Sequence, residues 1–211
     1  AVNTFVLPEE AVTSDILISE IFADPTPTVA LPAAEFIEIY NRSEKIIDLY
    51  NYQISDGSST GTLPHHVIFP KAYALLVSNQ SLSLFNIEHK AIAVQNFPTL
   101  NNDGELLVLK NTNGKTIDSV DYKRSWYRDE DKAEGGWSLE RIDLENFCLD
   151  AKNWAASEDE SGGSPGRTNA IAASLPDQMA PKLIAAIVEN NQTLVLSFDE
   201  RLSRELPSIE N

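Results

Sequence analysis

The segments ILISEIFADP (16–25) and EFIEIYNRS (35–43) decide the fold. In the first, Ile16, Ile18 and Ile21 with Leu17 and Phe22 form a β-branched and aromatic run that suits a pleated, half-buried surface. Asp24-Pro25-Thr26-Pro27 ends it, because proline brings no N–H to a ladder. In the second, Ile37 and Ile39 fall on one face and Phe36, Glu38 and Tyr40 on the other, the period of two of a strand. Working outward, further strands are predicted at 46–49, 52–55, 62–69, 73–78, 91–95, 105–110, 115–122 and 137–142. Turn chemistry separates them at Asp56-Gly57, Phe69-Pro70, Asn102-Asp103-Gly104 and Asn113-Gly114; the last, between two alternating runs, is the strongest hairpin signal. Helical signal is confined to single turns at 81–85 and 150–156. Many short strands at this spacing predict an all-β sandwich or barrel.

The 211 residues carry a formal charge of −16, with 42% hydrophobic and 23% charged residues. That is too apolar for a disordered acidic tail, and the length is enough for one core that needs neither metal nor disulfide. The charge argues against nucleic-acid binding, which needs Lys and Arg to neutralise phosphates, and against docking on anionic membranes. No apolar run approaches the length of a membrane span. One cysteine, Cys148, excludes an intrachain disulfide. The chain starts at Ala1 and its one methionine is Met179, so an upstream segment such as a signal peptide is expected to have been removed.

The stretch SEDESGGSPGRT (157–168) reads as a closing loop. It divides the chain into an N-terminal segment (1–14), a β-sandwich (15–170), and a tail (171–211) holding a hairpin of 182–188 and 193–198 about Asn190-Asn191. That tail is too short to bury its own core and reads as the start of a truncated second β domain. Its unpaired edges would permit a strand-exchanged homodimer.

The order of ISEIFADP (18–25), EFIEIYNRS (35–43), DLYNYQISDG (48–57), TLNNDGELLVLKNTNGKTIDSVDY (99–122), GGWSLERID (135–143) and SPGRTN (164–169) resembles the lamin tail domain family. The resemblance implies an immunoglobulin-like antiparallel β-sandwich. The GGWSLER and SPGRTN endings are similar to the bacterial, exported branch. The segment at 180–200 is similar to the first hairpin of bacterial surface immunoglobulin-like domains. What the resemblance implies is a non-catalytic module of an exported surface protein, periplasmic or extracellular, that contacts a protein or a cell-surface polysaccharide. A place on a lipoprotein, or as the accessory domain of an exported phosphoesterase or nuclease, fits the same pattern.

Several residue groups compete for a functional role. Gly57-Ser58-Ser59-Thr60-Gly61 and Gly162-Gly163-Ser164-Pro165-Gly166 match the nucleophile-elbow spacing, but neither leads into a helix, and both read as turns. His65 and His66 point to opposite faces of a strand, and His89 is remote, so a zinc site is not expected. Asp129, Asp131 and Glu134 precede GGWSLER and offer a calcium loop, although Glu134 stands where an EF-hand needs glycine; the alternative is a solvated acidic face, and Glu158-Asp159-Glu160 poses the same choice. Trp126 and Tyr127 between Arg124 and Arg128 have the composition of a protein- or sugar-contacting loop, or of core packing. Glu20 and Glu38 lie mid-strand; they are an acid–base pair or, more economically, half of a structural ion-pair cluster with Arg141.

Overall fold

The computed structural model describes residues 7–85, 90–146, 149–176, 180–199 and 202, so His89 and Cys148 lie outside the described residues. Two sheets face each other. The larger is formed by β1 (Ile16–Phe22), β2 (Phe36–Asn41), β7 (Tyr73–Ser78), β8 (Ala91–Val94), β11 (Leu139–Arg141) and β12 (Trp154–Ala156), in the order β12-β11-β1-β2-β7-β8. The smaller orders β10 (Thr116–Asp121), β9 (Leu106–Lys110), β4 (Gln53–Ser55) and β5 (Thr60–Thr62). Two further strands, β3 (Ile47–Asp48) and β6 (Val67–Ile68), pair with each other. Among the described residues there is no α-helix, only short 3-10 turns.

The core lies between the sheets: Ile18, Ile37, Ile39 and Leu76 from the larger meet Ile54, Leu107, Leu109 and Ile117 from the smaller. Burying each such side chain is worth about 1.5–3 kcal/mol. The outer face of the larger sheet is also covered. Phe22, Phe36, Leu75 and Val77 form a second cluster there with Leu31, Ala34 and Phe85, where Phe22 and Phe36 pack at 5.1 Å. β1 is therefore buried on both faces along its whole length.

Three expectations need correction. The sandwich is not wholly antiparallel, since β8 runs parallel to β7. The connection between them, 79–90, has the dozen residues that a parallel crossover requires. The run 62–69 is two strands in different sheets; Pro64, with no N–H, stands at the break. Thr62 instead exchanges backbone hydrogen bonds with Gln95, at 2.9 and 3.1 Å, linking the two sheets at one edge. The turn expected at 150–156 covers only Asp150–Asn153 before the chain enters β12.

The C-terminal hairpin, β13 (Leu183–Asn190) with β14 (Thr193–Phe198), forms a two-stranded sheet of its own, and its apolar side chains, such as Ile184 and Val188, are exposed.

Candidate functional site

Three glutamates stand in one row across the larger sheet. Glu20 on β1 is the register partner of both Glu140 on β11 and Glu38 on β2. A β-bulge between Ile18 and Glu20 makes this possible, because it sends Ile18 to the inner face and Glu20 to the outer one. All three side chains are fully buried, beneath the segment 163–171.

That segment supplies hydrogen-bond donors at each carboxyl group. Ser164 N donates to Glu20 Oε1 (2.9 Å), Gly166 N to Glu38 Oε2 (2.5 Å) and Ile171 N to Glu140 Oε2 (3.1 Å). Hydroxyl donors complete the set: Ser138 to Glu20 (2.6 Å), Ser19 to Glu38 (2.9 Å) and Ser164 to Glu140 (2.7 Å). The close approach demands glycine at 163, where a Cβ would lie 2.5 Å from Glu20 Oε1. Asn169 then ties the same segment to the sheet through the carbonyls of Ser19 and Arg141.

Burial, and then the charge of Glu140, pushes the Glu20 carboxyl up to about 8 against the bonds from Ser138 and Ser164. Glu38 is raised well above the ordinary carboxylate range by burial and then by Glu20. Glu20 is therefore a neutral acid at pH 7. Its Oε2 is buried and has no hydrogen-bond partner among the described residues. General acid–base chemistry requires a group that reaches a substrate, whereas these three carboxyls are sealed and capped by their own chain. They bind the closing segment to the sheet.

The expected cluster of Glu20 and Glu38 with Arg141 is not what the fold assembles. Glu140 and Arg141 are neighbours in β11, so they face opposite sides of the sheet. Glu140 joins the glutamates outside. Arg141 enters the space between the sheets, where its Nη2 donates to Asp118 Oδ2 at 2.9 Å, and Asp118 also accepts the Ile18 N–H. Both residues of this ion pair are at most 3% exposed.

The loop that follows β10 is ordered by its own polar groups. Arg124 and Trp126 lie in a 3-10 turn (Arg124–Tyr127). Tyr127 is buried, as the core-packing alternative has it, and donates its hydroxyl to the Trp137 carbonyl; burial pushes its phenol well above the usual range. Trp126 is half-buried, 6.2 Å from Trp154. Arg124 pairs with Glu134 (2.7 Å), and the exposed Arg128 donates to the Ala151 carbonyl (2.8 Å).

Asp129, Asp131 and Glu134, the candidate calcium loop, are engaged by the chain's own groups. Asp129 Oδ1 accepts the backbone N–H groups of Asp131 and Lys132, while Glu134 is held by Arg124. Among the described residues, no three Asp, Glu, His or Cys side chains are grouped to hold a metal ion. Gly135 and Gly136 close the loop against 24–27, where Cβ atoms would meet the Thr26 and Pro27 carbonyls at 2.0 and 2.1 Å. In the second acidic segment, desolvation opposes ionisation of Asp159, but hydrogen bonds from Ser161 and Arg167 prevail and bring it down to about 2.

The elbow serines are structural too: Ser59 donates to Asp56, and Ser164 is the buried partner of Glu140. His65 sits 2.9 Å from Asp48 and stacks on Tyr50 at 3.7 Å, whereas burial lowers the pKa of the half-buried His66. Sequence reading missed Ser138 and Asp118, and the place of Glu140 beside Glu20. The alternation within Ser138-Leu139-Glu140-Arg141 was the available signal, since it puts Ser138 and Glu140 together on the face away from Arg141.

Compared with known families, the chain matches the Lamin Tail Domain over residues 9–124, which is 116 of its 211 residues. No curated protein sequence matches it. The matched segment ends after β10, yet β11 pairs with β1 and carries β12, so the sandwich of this chain extends past the match. An all-β sandwich, this family match and the ordered motifs from ISEIFADP to NTNGKTIDSVDY agree: the chain belongs to the lamin tail domain family.

Proposed function

We propose that this chain is a non-catalytic interaction module of an exported bacterial surface protein, meeting a partner protein through the loops 123–136 and 157–166. One observation carries the reading: the two loops are joined and held in place, with charged side chains left on their outer surface. Lys132 Nζ donates to the Ser157 carbonyl (2.6 Å), Gly136 N to Asp24 O (2.8 Å), and Ala30 and Leu31 to Ser161 O (3.2 Å each). Glu130, Asp131 and Glu158 remain exposed. Rigid loops on a packed scaffold are what recognition surfaces use. Support for export comes from the GGWSLER and SPGRTN endings and from the acidic charge of −16. Against intrinsic catalysis stand the burial and capping of Glu20, Glu38 and Glu140.

The test is site-specific photo-crosslinking in the source cells, with a benzophenone amino acid at position 130 or at position 115, in the turn at the far end of β10. A discrete protein adduct from 130 and none from 115 is expected. No adduct at 130, or equal adducts at both, would overturn the reading.

A further inference from the structure

Beside the acidic loop, the sandwich opens into a cavity of about 300 Å³ that the reading above does not use. Its walls come from the end of β10, the 3-10 turn carrying Trp126, β11, and the turn that leads into β12. Trp126 and Trp154 give it two indoles, and the buried Arg141 and the exposed Asp121 and Asp150 also line it. We propose that this cavity is a binding site for a neutral pyranose sugar.

The choice of ligand follows from charge and shape. An anion would meet the carboxylate of Asp150 and that of Asp121, which Lys123 pairs at 2.7 Å, on a chain of net charge −16, and the Arg141 guanidinium is already paired with Asp118. A cation seeking an aromatic cage would find the Trp154 ring covered by that guanidinium, 5.0 Å from its centroid, and would be repelled by it. A neutral ring with an apolar C–H face and a hydroxyl-bearing edge suits both kinds of wall. The C–H face lies against Trp126, the more exposed of the two tryptophans, while vicinal hydroxyls donate to Asp121 and Asp150. The volume sits at the low end of ligand pockets, about 300–1,000 Å³, and so fits one or two sugar rings.

The site is also preformed. The Trp126 ring packs 6.2 Å from that of Trp154, and its backbone N–H donates to the Lys123 carbonyl (2.9 Å). The wall at Ala151 is held by Arg128. Asp150 sits at φ 42°, a left-handed conformation that is costly for a residue with a side chain.

The full chain, with its tryptophans labelled on the indole nitrogen, is titrated by NMR with methyl β-glucoside, methyl β-galactoside and methyl N-acetyl-β-glucosaminide to ~20 mM, a range suited to the millimolar affinities of single small ligands. At least one sugar is expected to shift the Trp126 and Trp154 indole signals and leave Trp137 in place. Trp126→Ala should weaken that binding tenfold or more. Asp150→Asn, on an exposed side chain, should weaken it several-fold without lowering Tm. The proposal is overturned if no sugar moves these signals, if tetramethylammonium or acetate moves them instead, or if both variants bind as the parent does. Protein docking at 123–136 is read by crosslinking and stands or falls separately.

Discussion

Replacing Glu20 with glutamine isolates the energetic cost of the buried glutamate row. In the folded chain the Glu20 carboxyl titrates near 8, against the ordinary value of 4.5 that applies when the chain is unfolded. Between these values the folded state holds one more proton than the unfolded state, so stability falls as pH rises. The contribution is complete below pH 4.5 and is lost progressively up to pH 8. The loss from this group is about 1.4 kcal/mol per pH unit, reaching about 3 kcal/mol at pH 7 and levelling near 5 kcal/mol above pH 8. Glutamine does not titrate, and its geometry fits. Its oxygen takes the place of Oε1, which accepts from Ser138 and Ser164, and its amide takes the place of the unpartnered Oε2. A residual cost of about 1–3 kcal/mol for imperfectly satisfied amide protons is independent of pH. The diagnostic quantity is thus the stability difference, Glu20→Gln minus parent, which should climb by several kcal/mol from pH 5 to pH 8. Urea unfolding followed by tryptophan fluorescence at four pH values measures it. Parallel pH profiles for the two proteins, or a difference that shrinks as pH rises, would refute the reasoning.

Arg141→Met removes the guanidinium from the buried Asp118 and should cost about 3–5 kcal/mol, as should Asp118→Ala in reverse; the double variant Arg141→Met/Asp118→Leu should recover most of the loss. Chemical denaturation of the three variants checks this, and a single variant as stable as the parent would show that the pair carries no such energy. Deleting 176–211 should leave the sandwich melting within about 2 °C of the full chain, since the pairs of β13 and β14 are with each other. A large fall in Tm on calorimetry would instead make the hairpin part of that fold.

The strands were legible because their evidence is local. Alternation in Glu35 to Tyr40 fixes which side chains share a face, and the observed split, Ile37 and Ile39 in the core with Phe36 in the outer cluster, follows it. Asn113-Gly114 marks the turn between β9 and β10, with Gly114 at φ 75°. Where the reading failed, the cause was non-local. No local pattern announces that β8 lies parallel to β7, because that depends on where a twelve-residue crossover returns. Tyr127 and Trp126 read alike in sequence, and only the chain at Trp137 and Trp154 buries one and half-covers the other.

The glutamate row marks the same boundary most clearly. The sequence by itself determined an acidic, all-β chain, the positions of most strands, and the resemblance to a family whose motifs run in this order. It placed Glu20 and Glu38 mid-strand and suggested Arg141 as their counter-charge. Tertiary structure decided otherwise: a bulge at Ser19 turned Glu20 outward, register set it between Glu38 and Glu140, and alternation sent Arg141 inward to Asp118. Glu20 and Glu38 are balanced by protonation and by hydrogen-bond donors from a segment more than 120 residues away in the chain. Charge pairing depends on which face a side chain occupies and on which strand lies beside it. Residues distant in the chain set both.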